Sequence, residues 1–280
     1  MRKSRSLIDL IEEKLNDDRT VLPVFDQTGL QIQKEVARDE PDVNRIEKLV
    51  TGDQALTTQV LKTANSAFYK GLTKVPTVKA AIVRLGTAEI SNIVMLATQQ
   101  KHYTAKDPRI RTMMQKLWRH AVGCAIGAQW AAREFGFKHL AGEAFTAGLL
   151  HDVGKLLLFS VIETIQREKN VAVHSDESLL AEIMQSFHTQ HGYLLLQNWN
   201  LPARYGIIAR DHHQPEFDRN NYLLMIVRLV NLACRKLGIG LTEDPDIVLA
   251  ATPEADQLGI TEVPLAKLEI KLEDSLGLSA

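Results

Sequence analysis

Ala147-Gly148-Leu149-Leu150-His151-Asp152-Val153-Gly154-Lys155-Leu156-Leu157-Leu158 sets a histidine and an aspartate side by side in an apolar run. An ionised Asp152 in such surroundings needs a partner, because an unpaired buried carboxylate is costly. Lys155 is one candidate, three residues on and on the same helical face; a metal ion is another. Lys155 is equally a candidate to meet a phosphate as a point charge. Neighbours on a helix point about 100 degrees apart, so His151 and Asp152 reach one ion only where the helix crosses over the site. Gly154 admits close approach of a neighbouring helix or of a phosphate. The plainer reading is a buried Asp–Lys pair beside a hydrogen-bonded histidine, and an isolated His-Asp dipeptide would favour it.

Working outward, the run belongs to a helix predicted from His139 to Thr164. Other long helices follow from apolar periodicity: about Arg109 to Phe135, Asp176 to Asn198, Pro202 to His212, and Leu223 to Leu237. Upstream of Lys106-Asp107-Pro108 the helices are shorter. Leu7 to Leu15 carries an apolar stripe, Pro23 stops the chain, and Gly29 to Arg38 reads as the next helix. Asp42, Asp53 and Thr77 are placed to cap three more, with a turn at Gly71 and a further helix from Ala88 to Gln99. A small strand pair is conceivable over Ala266 to Leu272. The chain therefore reads as all-α: a smaller helical bundle over 1–106, then a larger one over 107–280.

Charge narrows the function classes. Lys plus Arg is 33 and Asp plus Glu is 34, a net charge of -1, which leaves no electrostatic footprint for nucleic acid or an anionic membrane. The opening residues lack the apolar run of a signal peptide, and no uncharged apolar stretch is long enough to span a bilayer. The two cysteines, Cys124 and Cys234, lie in apolar helical contexts and read as buried small hydrophobes. Their number fits a reducing compartment, so the expected location is cytoplasmic.

Histidine is the informative residue. Beside His151 stand His120, His188 and the doublet His212-His213. Neutral imidazole and carboxylate are ligands for Zn, Fe and Mn. The doublet falls at a helix end, where geometry is freer. His191 shares a face with His188 and competes with it. His102, His139 and His174 fall near loops or on the surface. Asp211 and Glu216 flank the doublet as solvated charges or as support for the site.

The residues Ala147 to Lys155 resemble the signature of the HD superfamily of metal-dependent phosphohydrolases. Gly52-Asp53-Gln54-Ala55-Leu56-Thr57, Leu61-Lys62-Thr63-Ala64-Asn65-Ser66-Ala67-Phe68-Tyr69, Val78 to Gly86, Leu117-Trp118-Arg119-His120-Ala121 and Trp199-Asn200-Leu201-Pro202 narrow the likeness. Together they resemble the HDOD family, the HD-related output domain of bacterial signalling proteins, from about Leu22 to Leu237. The resemblance implies an HD-like helical bundle with metal ligands His120, His151, Asp152, His188, His212 and His213, and with Asp152 and Lys155 in catalysis. It places Asn231 where catalytic relatives carry an Asp, and Gln214 to Asp218 lacks the loop of the cyclic-dinucleotide branch. The expected cofactor is one or two divalent ions, Fe or Mn favoured by a nitrogen-rich set without thiolate, Zn or Ni also accommodated. The expected activity is metal-dependent hydrolysis of a phosphate-containing small molecule. The alternative is a non-catalytic module acting through a signalling protein partner.

Overall fold

The structure, a computed structural model, describes residues 6–16, 26–36, 38–66, 69, 73–169 and 177–275. The expected turns at Pro23 and Gly71, and His174, lie outside the described residues. Among the described residues the regular structure is helical, with no strand.

Five short helices follow the first: α1 (Leu7–Leu15), α2 (Gln27–Val36), α3 (Val43–Thr51), α4 (Gln54–Ala64), α5 (Val78–Leu85) and α6 (Thr87–Gln100). Their starts obey local chemistry: the side chains of Asp42, Asp53 and Thr77 accept hydrogen bonds from the free amides of α3, α4 and α5. Helices α2 to α6 enclose a small core of Ile32, Ile46, Val50, Val60, Ile82 and Ile90. Helix α1 lies elsewhere: Ile11 belongs to the larger core, and α1 rests on a helix from the second half. Helix α6 serves both cores, with Ile90 and Ile93 in one and Met95 and Leu96 in the other.

The larger core is built on α7 (Pro108–Glu134), capped by Asp107 and started by Pro108 at its first position. Around it stand α8 (Ala141–Leu150), α9 (Val153–Lys169), α10 (Glu177–Asn198), α11 (Ala203–Asp211), α12 (Tyr222–Lys236), α13 (Pro253–Leu258) and α14 (Glu262–Ser275). Two sequence expectations are corrected here. The predicted helix from His139 to Thr164 is two helices, α8 and α9, with His151 and Asp152 in the turn between them. Asp152 stands at the N-cap position of α9, but the apolar run continues on both sides of it, so periodicity reads straight through the junction. The strand pair over Ala266 to Leu272 is instead part of α14. Leu265, Leu268 and Leu272 are buried at helical spacing, while Ile270, which imitated strand alternation, is 60% exposed.

Two glycines set how tightly the α8–α9 turn is gripped. A Cβ on Gly148 would lie 2.4 Å from the Cys124 carbonyl of α7, and one on Gly154 would lie 1.9 Å from the His188 carbonyl of α10. Only the bare backbone lets both helices close on the turn. Of the two close approaches expected at Gly154, the structure shows a helix. The stretch Lys138–Glu168 is apolar and long enough to cross a membrane on composition alone, but 89% of its most apolar part is buried inside the protein.

Candidate metal centre

Asp152 lies at the centre of four imidazoles. His120 comes from α7, His151 from the end of α8, His188 from α10 and His212 from the end of α11; all five residues are buried. Asp152 Oδ2 is 3.4 Å from His120 Nε2 and 3.6 Å from His151 Nε2. Its Oδ1 is 3.4 Å from both His188 Nε2 and His212 Nε2. The rings also face one another, His120 Nε2 to His151 Nε2 at 3.2 Å and His188 Nε2 to His212 Nε2 at 3.4 Å.

The backbone fixes which nitrogen faces inward. Each Nδ1 lies against carbonyl oxygen: Ile239 at 2.8 Å for His120, Gly148 at 2.8 Å for His151, Met184 at 2.5 Å for His188, and Ala209 at 2.9 Å for His212. A carbonyl only accepts, so each Nδ1 carries a proton and each Nε2 is the atom turned toward Asp152, with a lone pair where the ring is neutral. His151 and His212 are also the C-caps of α8 and α11, where last-turn carbonyls lack helical partners.

Electrostatics agree with a cation-seeking cluster. Burial opposes ionisation of Asp152, but Lys155 above all, then His151, His120 and His212, hold its carboxyl well below the usual range. Burial keeps His151 well below its ordinary value and His188 at about 3, so both are neutral at physiological pH. Burial also presses on His120, yet its bond to Asp152 and the neighbouring Cys234 lift it to about 10. Lys155 and a proton on His120 together supply the positive charge that Asp152 requires. Even so, Asp152 Oδ1 is buried without a hydrogen-bond partner, a costly state for a carboxylate oxygen. Two imidazoles on one ion at about 2.0–2.1 Å each stand roughly 3.0–3.4 Å apart. The donors and their spacing therefore fit a divalent metal.

Lys155 Nζ is 2.7 Å from Asp152 Oδ2, which realises the salt-bridge reading of that lysine. It also lines a cavity of about 1640 Å³ that opens onto the cluster, together with Arg109, Lys116, Arg235, His188 and His213. Asn231 is buried on α12 in the wall of the same cavity, which His120 and Asp152 also line. His213 is exposed at the mouth, its ring 5.2 Å from that of His188. His191 stacks on Phe187 and lies outside the cluster. Asp211 pairs with Arg210, and Glu216 is exposed.

Three features were not read from the sequence. Cys124 and Cys234 are buried as expected, but their sulfurs are 3.6 Å apart and Cys124 Sγ is 3.6 Å from His120 Nε2. The i,i+4 spacing of His120 and Cys124 was the available signal. Arg228 donates to the carbonyls of Asp211, His212 and Gln214, pairs with buried Glu254 at 2.6 Å and lies over the Phe217 ring. It clamps the segment that carries the doublet. The turn Ile239-Gly240 presses on the His120 ring.

An all-helical protein with a buried aspartate ringed by histidines is the class that fold and site define. The chain belongs to the HDOD domain family, whose model matches residues 22–215 and so spans the whole cluster. Among solved structures it is similar to an HDOD domain protein of unknown function from Geobacter sulfurreducens, at 20% identity and a TM-score of 0.77, covering 97% of this chain and 96% of that one. A protein of Shewanella amazonensis SB2B, named provisionally as a metal-dependent phosphohydrolase, matches at 17% identity and a TM-score of 0.74, covering 97% and 98%. One of Marinobacter aquaeolei VT8, named provisionally for signal transduction, matches at 22% identity and 0.67, covering 100% and 62%. An uncharacterized protein of Treponema pallidum (strain Nichols) is 24% identical over 236 residues, 81% of this chain. The chain spans 44% of that relative's length.

Proposed function

We propose that the protein holds a divalent cation at Asp152 and hydrolyses a phosphate ester bound in the adjoining cavity. The observation that carries this reading is Asp152 Oδ1, buried and unpartnered between two imidazole nitrogens whose lone pairs face it. His120, His151, Asp152, His188 and His212 are the ligands, with His213 at the mouth available to a second ion. A nitrogen-rich set with one carboxylate favours Fe or Mn, and takes Zn or Ni by availability. The cation supplies Lewis acidity toward a phosphoryl oxygen and makes a water more acidic. The chain's own residues do the rest. Lys155 holds Asp152 ionised and stands at the cavity surface, within reach of a substrate phosphate. Arg109, Lys116 and Arg235 give that cavity cations for further anionic groups.

One observation favours a second reading, a module that signals through a protein partner. Asn231 is neutral at the cavity wall, where resemblance places an aspartate in catalytic relatives, and one carboxylate fewer weakens both metal retention and catalysis. Two measurements separate the readings. Elemental analysis of protein purified without chelator gives at least one divalent ion per chain, and Asp152→Asn gives none while melting as a folded protein. A panel of phosphate mono- and diesters then shows metal-dependent turnover that Asp152→Asn lacks. Stoichiometric metal without turnover of any ester decides for the partner-binding module; absence of metal from a folded parent refutes both the centre and the hydrolase.

A further inference from the structure

The second cluster of metal-ligating side chains lies behind the first. Cys124 follows His120 by one turn of α7, and Cys234 follows Asn231 by one turn of α12. Where those helices pack, His120, Cys124 and Cys234 bring one nitrogen and two sulfurs within 4.8 Å of one another, all buried. The two sulfurs are free thiols, 3.6 Å apart. A disulfide needs about 2.05 Å. Two thiolates on one tetrahedral zinc-class ion, each at about 2.3 Å, stand roughly 3.7 Å apart, and a sulfur and an imidazole nitrogen roughly 3.6 Å apart. The 3.6 Å from Cys124 Sγ to His120 Nε2 matches the second spacing as the sulfur pair matches the first.

We propose that His120, Cys124 and Cys234 form a separate site for a thiophilic divalent ion of the zinc class, and that this site competes with the Asp152 centre for His120. Three protein donors leave one coordination position free, and His120 itself lines the large cavity, which provides the path of entry. Binding takes the two thiols as thiolates and releases their protons to solvent. The competition follows from the single free nitrogen of His120. Its Nδ1 is committed to the Ile239 carbonyl at 2.8 Å. Its Nε2 lies 3.4 Å from Asp152 Oδ2 on one side and 3.6 Å from Cys124 Sγ on the other. One lone pair serves one ion at a time, so an ion on the sulfurs draws His120 away from Asp152. The site itself stands without the Asp152 centre; only the competition rests on that proposed reading. Cys234 lies beyond the residues matched by the family model, so the pair is not part of what the family match covers.

Cobalt(II) is the probe, because thiolate ligation gives it a near-ultraviolet charge-transfer band that nitrogen and oxygen ligands do not. Apo-protein titrated anaerobically is expected to develop the band to one equivalent per chain. Asp152→Asn keeps it, and Cys124→Ser and Cys234→Ser lose it. Absence of the band in both the parent and Asp152→Asn overturns the site, as does its persistence in the double serine variant. Should the serine variants fail to fold, zinc absorption fine structure on Asp152→Asn loaded with one equivalent gives the answer without them. Two sulfur neighbours uphold the site, and a shell of only nitrogen and oxygen overturns it. Competition is read by manganese resonance on parent protein whose one equivalent of zinc shows two sulfur neighbours by absorption fine structure: its manganese affinity is at least tenfold below that of the zinc-free parent. Unchanged manganese affinity in the parent overturns the competition. If manganese binds neither form, the Asp152 reading fails and the competition with it, while the cobalt band still decides the thiolate site.

Discussion

Gly154→Ala tests whether the approach of α9 to α10 holds the metal centre together. The new Cβ would fall 1.9 Å from the His188 carbonyl oxygen and 2.8 Å from the Gly192 amide nitrogen. Both obstacles are backbone, so no rotamer relieves them. Real Cβ contacts begin near 3.0 Å, so the helices must part by about 1.1 Å, the difference between 3.0 and 1.9 Å. Overpacking of a closed interior costs about 1–3 kcal/mol, and a backbone clash belongs at the upper end. At roughly 2–4 °C per kcal/mol for a chain of this size, the melting temperature falls by roughly 6–12 °C. The displaced segment carries His188, so metal affinity falls as well, by tenfold or more. Gly142→Ala is the control: its Cβ meets nothing within 4 Å on the first turn of α8, and alanine there stabilises by about 0.5–1 kcal/mol. Thermal melts followed by circular dichroism, with metal titration of each variant, measure both effects. A Gly154→Ala protein that melts with the parent and binds metal equally would refute the reasoning.

Asn231→Asp adds a carboxylate to the wall of the cavity that His120 and Asp152 also line; calorimetry should show metal affinity raised about tenfold, or about 1.4 kcal/mol, and equal affinity places Asn231 beyond reach of the ion. Arg228→Ala leaves Glu254, 1% exposed, without its ion pair and frees three carbonyls near the doublet. Removing one partner of a buried pair costs about 3–5 kcal/mol; chemical denaturation checks this, and a loss under 1 kcal/mol contradicts the clamp. Stripping the parent with a chelator lowers its stability by about 2.7 kcal/mol relative to protein at a hundredfold excess of metal over its dissociation constant. Asp152→Asn, measured by the same melts, shows no such difference.

Helix starts were legible because they are local. Asp42, Asp53 and Thr77 each cap the amides two or three residues ahead, as their positions in the sequence required. The candidate ligands were legible because imidazole and carboxylate chemistry is carried by residue type. Their meeting was legible only through the family resemblance, since His120 and His212 reach Asp152 by packing that periodicity does not describe. The same limit hid the Cys124–Cys234 contact and the reach of Arg228 from α12 to the carbonyls beyond α11. The turn at His151-Asp152 was missed for another reason. An apolar run continues through it, and the close approaches of α7 at Gly148 and of α10 at Gly154 that flank the turn leave no mark in the periodicity.

That turn explains how adjacent residues serve one centre. Within a continuous helix His151 and Asp152 would diverge by about 100 degrees. At a helix end His151 gives its Nδ1 proton to a last-turn carbonyl while Asp152 begins the next helix with its carboxylate inward. His212 repeats the device at the end of α11. The C-termini of α8 and α11 thus bring partial negative charge to the cluster, and the N-terminus of α9 brings partial positive charge to Asp152 itself. The orientation of these ligands is held by backbone carbonyls rather than by side chains of a supporting shell. Point substitution cannot delete those acceptors. It can only move the helix ends that present them, so the residues that control this centre from outside are those that fix helix ends: Gly148, Gly154 and Arg228.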